Sequence, residues 1–126
     1  MPLFSLNKKM HVLIVEDDVR LRASLREQCE NNGFSVSEAS DASAVLALLA
    51  KRSPDVMVLD LILPLQDGVS LLEDVRHAGY EFPVLILSNL LGSDELRKDA
   101  ERLGAAFFNK SSVSLDDIIK EIKKKL

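Results

Sequence analysis

The chain has 126 residues, 47% of them hydrophobic, which is enough apolar material to bury the core of one compact domain. Its formal net charge of -4 gives no general basic surface, so the composition argues against direct binding to nucleic acid. The single cysteine, Cys29, excludes an intramolecular disulfide and a multi-cysteine metal site, and its helical spacing from Leu21 and Leu25 predicts a buried packing role.

The start of the chain lacks the apolar run of a secretory signal peptide, and no stretch approaches the roughly 18 apolar residues of a membrane span. We therefore expect a cytoplasmic protein without a membrane segment. Residues 1–10 are interpreted as an N-terminal lead-in, and residues 11–126 as the folded domain.

Strand-like and helix-like patterns alternate along the chain. Short apolar runs predict strands near 11–15, 34–39, 56–60, 84–88 and 105–109. Between and after them, apolar residues three and four apart predict five helices, centred on Leu21 to Cys29, Ala42 to Leu49, Val69 to Val75, Leu96 to Leu103 and Leu115 to Ile122. The pattern is a βα unit repeated five times.

Residues that favour helix ends agree with this division. The predicted N-caps are Asp18, Asp41, Asp67 and Ser93, and Ser114 with Asp117 resembles a capping box. Glycines at 33, 79 and 104 stand where helices should stop. The first, third and fourth strands are continuously apolar, as in a sheet covered by helices on both faces. We predict a doubly wound, three-layer α/β domain with a five-stranded parallel sheet in the flavodoxin-like order 2-1-3-4-5.

Reactive side chains follow four of the five predicted strands. Glu16 and Asp17 follow the first strand, Asp60 ends the third, Ser88 ends the fourth and Lys110 follows the fifth. Ligands of open parallel sheets bind outside the carboxyl ends of the strands, so these side chains should share one pocket.

The acids of this pocket require a cation or a proton. Two carboxylates about 4 Å apart repel by roughly 4 kcal/mol at an effective dielectric constant near 20. Oxygen ligands with room for water suit Mg²⁺, and Mn²⁺ is a possible substitute. A metal, a hydroxyl and a lysine beside a carboxylate are suited to phosphoryl transfer, with Asp60 as the nucleophile that forms an aspartyl-phosphate.

Four segments in this order resemble the response regulator receiver domains of two-component signalling. They are Val12–Asp18, with the acidic pair; Asp55–Gly68, with the phosphoacceptor strand and the turn after it; Pro83–Ser88, with the switch hydroxyl; and Gly104–Lys110, with the lysine. The resemblance covers the chain from about residue 11 to its end.

The resemblance implies a role for each acid. Asp60 would accept a phosphoryl group from a histidine kinase or a histidine phosphotransfer protein. Asp17 would bind Mg²⁺ directly, Glu16 would act mostly through water, and Asp60 and the backbone carbonyl of Ile62 would complete the metal ligands.

The resemblance also implies how the signal leaves the site. Ser88 and Lys110 would contact the phosphoryl oxygens, and Phe107 stands where the family often has a tyrosine that rotates with the switch. An unidentified downstream protein would bind through the fourth helix, fifth strand and fifth helix. The chain would be a stand-alone phosphorylation switch rather than a turnover enzyme.

Three rival interpretations were weighed. A haloacid-dehalogenase-like, Mg²⁺-dependent phosphatase needs an Asp-x-Asp pair, but Ile62 stands where the second acid belongs. A flavodoxin-type carrier needs a phosphate-binding loop after the first strand, where Glu16-Asp17-Asp18 would repel a flavin phosphate. A receiver fragment of a larger regulator or hybrid kinase remains an alternative.

Some residues depart from the family pattern. Ser111 follows Lys110 where a cis proline is usual, which leaves the conformation of that bond open, and Asn89 follows Ser88 where a small residue is commoner. Ile62 and Leu90 are apolar where polar side chains can orient the hydrolytic water, which predicts slow self-dephosphorylation.

The two histidines, His11 and His77, show no partner in the sequence. We expect a surface role for both rather than catalysis.

Overall fold

Five parallel strands form the centre of the domain. The computed structural model describes residues 9–89 and 94–125. The strands are β1 (His11–Val15), β2 (Ser35–Ala39), β3 (Val56–Asp60), β4 (Val84–Ser88) and β5 (Ala105–Asn109). Their order in the sheet is β2-β1-β3-β4-β5, so the predicted topology is confirmed. Four strands have the predicted bounds, and β2 begins one residue later than expected.

Five helices connect and follow the strands. They are α1 (Val19–Asn31), α2 (Val45–Lys51), α3 (Gly68–His77), α4 (Asp94–Arg102) and α5 (Leu115–Lys125). The second predicted helix begins at Ala42 as expected, but its first three residues form a 3-10 turn that leads into α2. Three consecutive lysines occupy the last turn of α5, where cations interact favourably with the helix dipole.

The sheet buries side chains on both faces. On one face Leu13 and Val15 of β1 pack with the apolar residues of α2 and α3. On the other, Val12 and Ile14 pack with those of α1 and α5. Successive strand residues point to opposite faces, so a continuously apolar strand such as β1 is the expected product of this two-sided cover.

The predicted helix ends are largely confirmed. Asp18 caps α1 and Asp67 caps α3, and Ser114 and Asp117 form the reciprocal capping box before α5. Asp41 caps the 3-10 turn, and the glycines at 33, 79 and 104 all have positive φ. Ser93 lies outside the described residues.

His11 contradicts its predicted surface role. Its residue is only 4% exposed, and its ring nitrogens Nδ1 and Nε2 lie 2.7 Å from the hydroxyl oxygens of Ser35 and Ser37, respectively. These serines stand on the neighbouring strand β2, so the partners become visible only once the strand register is known. His77 is exposed, as predicted.

Two other local predictions have a clear outcome. Cys29 is buried, and burial raises the pKa of its thiol to about 11, as befits a packing residue. The described part of the chain contains no cis peptide bond, so the Lys110–Ser111 bond is trans. The amide and hydroxyl of Ser111 both donate to Asn109 Oδ1, which holds this turn.

Candidate functional site

The strand ends bring three carboxylates together at one edge of the sheet. Glu16 and Asp17 follow β1, and Asp60 ends the adjacent strand β3. One carboxylate oxygen from each lies within 4.8 Å of the other two. Glu16 and Asp60 are buried, whereas Asp17 is exposed, so the cluster has a protein side and a solvent side.

Asp60 is fixed at both carboxylate oxygens. Asp60 is only 6% exposed to solvent. Oδ1 accepts a hydrogen bond of 3.2 Å from the backbone N–H of Ile62, and Oδ2 accepts one of 2.9 Å from Lys110 Nζ. The turn after β3 is also tight, because the Gly68 N–H donates to the Leu61 carbonyl at 2.6 Å. The carboxylate is therefore held in a defined orientation.

Lys110 links the strand ends to each other. Its backbone N–H donates to the Ser88 carbonyl at 2.9 Å, which ties the end of β5 to the end of β4. Its ammonium lies 2.9 Å from Asp60 Oδ2 and 2.8 Å from Glu16 Oε1. Burial alone would lower the pKa of Lys110, but the contacts with Glu16 and Asp60 outweigh it and raise the pKa. The lysine is a charged partner for both acids.

Glu16 is the most buried of the three acids. Its pKa is raised to about 7, chiefly by burial; the contact with Lys110 acts in the opposite direction, and the neighbouring Asp60 contributes to the increase. Its Oε2 accepts a hydrogen bond from the Asp18 N–H at 3.1 Å. Oε1 lies against the Lys110 ammonium and has no other polar partner among the residues that the structure describes.

These residues fit a divalent cation. One ammonium faces three carboxylates, which leaves an excess of negative charge at the cluster. The buried Glu16 Oε1 has capacity for a further partner, and an all-oxygen donor set suits Mg²⁺ or Mn²⁺. The predicted ligands Glu16, Asp17 and Asp60 are thus brought together. The predicted role of the Ile62 carbonyl stays a prediction.

The remaining predicted residues that the structure describes differ in their exposure to solvent. Ser88 is buried at the end of β4, and Asn89 beside it is exposed. The side chain of Ile62 faces solvent at 55% exposure, whereas Leu90 lies outside the described residues. Phe107 is half-buried on β5, with the guanidinium carbon of Arg97 5.4 Å from its ring centroid. Their parts in phosphorylation stay predictions.

Sequence reasoning missed two features of the site. Arg22 on α1 donates from Nη1 to the Glu16 carbonyl at 2.8 Å. Gly68 lies so close to β3 that an added Cβ would stand 2.6 Å from the Asp60 carbonyl oxygen. The position of Arg22 on the second turn of a helix gave no signal of this contact, whereas the glycine after Asp67 was noticed only as part of a turn.

Comparison with known proteins shows the family to which this domain belongs. The family model described as the response regulator receiver domain matches residues 12–123. The chain belongs to this family. Its receiver domain is 38% identical over 79 residues to the response regulator MprA of Mycobacterium avium, an alignment that covers 63% of this chain and 35% of that protein. The chain therefore spans about a third of the length of the curated relatives it matches.

Solved receiver structures agree with this assignment. The receiver domain of the Francisella response regulator 1452 superimposes with a TM-score of 0.84 at 28% identity, covering 93% of this chain and 96% of that one. A CheY-like receiver domain protein from Methanospirillum hungatei gives a TM-score of 0.86 at 26% identity, with 94% of each chain covered. Within the described residues, no helix is both long enough and apolar enough to cross a bilayer.

Proposed function

We propose that this receiver domain is a phosphorylation switch in which Asp60 accepts a phosphoryl group in a Mg²⁺-dependent reaction. The donor is the phosphohistidine of a histidine kinase or a histidine phosphotransfer protein. The observation that carries the proposal is the arrangement of Asp60, a buried carboxylate held by Lys110 inside a cluster of two further acids.

The transfer forms one bond and breaks one. A carboxylate oxygen of Asp60 attacks phosphorus, the P–N bond to the donor imidazole breaks, and the imidazole leaves with its bonding pair and takes up a proton. Charge on the transferred group is then balanced by Lys110, whose ammonium already touches Asp60, while the buried Ser88 supplies a hydroxyl from the next strand.

Glu16, Asp17 and Asp60 would hold the metal, together with the Ile62 carbonyl. When bound, Mg²⁺ supplies positive charge that lets a phosphoryl group approach a cluster of carboxylates. Before a metal binds, the three carboxylates outnumber the lysine that contacts two of them, so the cluster would repel an approaching anion.

Asp60 acts stoichiometrically in this proposal, so the domain is not a turnover enzyme. The alternative, a Mg²⁺-dependent phosphatase, requires a second acid two residues after the nucleophile. In this chain that position is occupied by the solvent-exposed, apolar Ile62. The same phosphoacceptor chemistry applies whether the domain works alone or as part of a longer regulator. A cytoplasmic location and the absence of direct DNA contact complete the proposal.

The output surface proposed for the downstream partner consists of α4, β5 and α5. A groove of about 500 Å³ lies there, lined by residues of all three elements and of the turn after β5. Phe107 forms part of its lining, and its ring packs under Arg97 of α4. Phe107 has no hydroxyl, so the Arg97 contact takes the place of a hydrogen bond in coupling β5 to α4.

The proposal is tested by incubating the purified protein with acetyl phosphate and Mg²⁺ and measuring intact mass. The parent should gain one phosphoryl group, and omission of Mg²⁺ should suppress the gain. Asp60→Asn keeps the shape of the side chain and removes the nucleophile, so it should gain none. Labelling of Asp60→Asn to the level of the parent would refute the proposal.

A further inference from the structure

One basic side chain supports the acidic turn without contacting any of its carboxylates. Arg22 stands on α1, and its Nη1 donates to the backbone carbonyl of Glu16 at 2.8 Å. Its side chain is 19% exposed, so this contact is largely shielded from water. A charged donor on a carbonyl makes a stronger hydrogen bond than a neutral one.

The contact completes the fixation of one peptide segment. The N–H of Glu16 already donates to the Ala39 carbonyl at the end of β2, at 3.0 Å. With Arg22 on its carbonyl, Glu16 is held at both backbone groups. The Glu16 carbonyl lies in the same peptide plane as the Asp17 nitrogen. The orientation of this plane therefore influences where the Asp17 carboxylate lies.

Arg22 is itself oriented by a neighbouring acid. Its Nε lies 3.6 Å from Glu38 Oε1 on β2. Glu38 also pairs with Arg26, one helical turn further along α1, through a contact of 2.6 Å between Oε2 and Nη1. Arg26 therefore shares the helix, the charge and the acidic partner of Arg22, and its recorded contacts go to Glu38 and Glu30 rather than to the acidic turn.

We propose that Arg22 is a positioning residue for the metal site, acting through the Glu16 carbonyl to place Asp17 and Glu16. The inference rests on the proposed function, because it concerns the Mg²⁺ site of that reaction. The inference goes beyond the proposed function because it assigns part of the metal affinity to the Arg22 guanidinium, which contacts the backbone of the acidic turn and none of the three carboxylates. Loss of a group that hydrogen-bonds to a metal ligand and orients it typically weakens metal binding by about tenfold or more.

The charge of Arg22 and its positioning contact predict opposite changes in metal affinity when the residue is replaced. A positive guanidinium near a divalent cation is repulsive, so removal of its charge alone should tighten metal binding. Loss of the positioning contact should weaken it, because the acidic turn must then be ordered when the metal binds. The direction of the change separates the two effects.

The test compares Arg22→Met with Arg26→Met, which remove the same charge from the same helix. Mn²⁺ binding to each purified protein is measured by electron paramagnetic resonance of the free ion. We expect Arg22→Met to raise the Mn²⁺ Kd about tenfold, and Arg26→Met to leave it unchanged or slightly lower. Arg22→Lys keeps the charge and one donor, so it should recover part of the affinity.

A second readout needs no metal. The Asp18 N–H donates to Glu16 Oε2, so its hydrogen exchange reports opening of the acidic turn. In metal-free protein, exchange at Asp18 should be faster in Arg22→Met than in the parent or in Arg26→Met. If Arg22→Met does not fold, Arg22→Lys is measured by both methods. Its Mn²⁺ Kd should lie above that of the parent, and hydrogen exchange at Asp18 should be faster. A Kd and an exchange rate that both equal those of the parent would contradict the assignment.

The outcomes separate the two proposals. Parent-like or tighter Mn²⁺ binding by Arg22→Met, or equal losses in the two Met variants, would overturn the role of Arg22 while leaving Asp60 phosphorylation untouched. A parent protein that binds no Mn²⁺ would overturn the metal-dependent reaction itself, and the Arg22 assignment with it.

Discussion

Asp17 and Asp18 are sequence neighbours that the fold uses in different ways. Asp18 Oδ1 accepts hydrogen bonds from the Arg20 and Leu21 N–H groups, at 2.9 and 3.2 Å, and so caps α1. These bonds hold the pKa of the Asp18 carboxyl below its usual range. Asp17 instead directs its carboxylate into the acidic cluster. A single step along the chain changes a helix cap into a candidate metal ligand.

This difference predicts unequal effects of two matched substitutions. Asp17→Asn should raise the Kd for Mg²⁺ by about tenfold, because it removes one ionised ligand. Asp18→Asn should change it little, because asparagine caps a helix about as well as aspartate. Calorimetric titration with Mg²⁺ compares the two variants. Equal losses would mean that Asp17 is not a direct ligand.

Ile62 gives a prediction about the lifetime of the phosphorylated state. Its backbone N–H donates to Asp60, and its side chain is apolar, so this residue, which is 55% exposed, cannot orient a water molecule through its side chain. Ile62→Asn should accelerate phosphoryl loss roughly tenfold, less than the full contribution of a positioned general base. Ile62→Leu, which stays apolar, is the control. The decay of intact phosphorylated mass measures both, and equal lifetimes of the parent and Ile62→Asn would remove the argument.

Side-chain positions were predictable from the sequence where the backbone fixes them. The positions of Asp60, Ser88 and Lys110 at strand ends on one edge of the sheet were predictable because strand ends in a parallel sheet converge whatever the side-chain packing. Arg22 and His11 were not, because their partners stand on other elements and depend on strand register and side-chain reach. A helix-borne arginine has the same sequence pattern whether it faces water or a carbonyl.

At the scale of elements, the connection from β3 to α3 leaves no room for a side chain at position 68. An added Cβ on Gly68 would stand 2.6 Å from the Asp60 carbonyl oxygen and 2.9 Å from the Leu61 Cα. Both are backbone atoms, so the strand end or the helix start must shift to admit a methyl group. The first residue of α3 therefore limits where Asp60 can lie.

Gly68→Ala should destabilise the fold by about 1–3 kcal/mol, although alanine favours helices, because of this overpacking. It should also slow phosphorylation by acetyl phosphate, since Asp60 moves with the strand end. Gly79→Ala is the control: its φ of +97° makes alanine strained, but no atom lies within 4 Å of the added Cβ. Denaturant unfolding and labelling rates should show both effects in Gly68→Ala and only destabilisation in Gly79→Ala.

His11 makes the pairing of β1 and β2 sensitive to acid. Burial lowers the pKa of its imidazole below the ordinary value of 6.5, nearby Arg52 lowers it further, and Asp55 opposes them. The unfolded chain therefore takes up a proton near pH 6.5 while the folded chain does not. The contribution of His11 to the free energy of unfolding should fall as pH drops from that value to the lowered folded pKa, by at most about 1.4 kcal/mol per pH unit.

The acid dependence is measured by urea unfolding between pH 8 and pH 5. His11→Gln should be less stable than the parent at pH 8, because it loses the contacts with two serines, but its stability should fall less steeply below pH 6.5. His77→Gln removes an exposed imidazole and should keep the slope of the parent. A parent-like slope in His11→Gln would show that another group carries the acid loss.

At the scale of the whole molecule, burial along the strands distinguishes the interior strands of the sheet from its edge strands. β1, β3 and β4 are buried at every residue, whereas β2 and β5 are mostly half-buried and lie at the edges. The polar sequence of β2 is typical of an edge strand. The 3-10 start of the second helix was not predictable, because Ala42, Ser43 and Ala44 fit either helical geometry.

The same architecture brings residues that are far apart in sequence into one candidate site. Asp60 and Lys110 are 50 positions apart, and the sheet order places the ends of β1, β3, β4 and β5 side by side. We propose that this convergence makes Asp60, and no other acid of the cluster, the phosphoacceptor. The neighbouring acids Glu16 and Asp17 are the internal alternatives.

Reductive trapping tests that claim most directly. Protein phosphorylated with acetyl phosphate and Mg²⁺ is treated with sodium borohydride, which reduces an aspartyl-phosphate to homoserine, and the peptides are then mapped by mass spectrometry. The account predicts homoserine at position 60 and unmodified Glu16 and Asp17. A reduced side chain at position 16 or 17 in place of Asp60, or none at all in protein that carries a phosphoryl group, would contradict it.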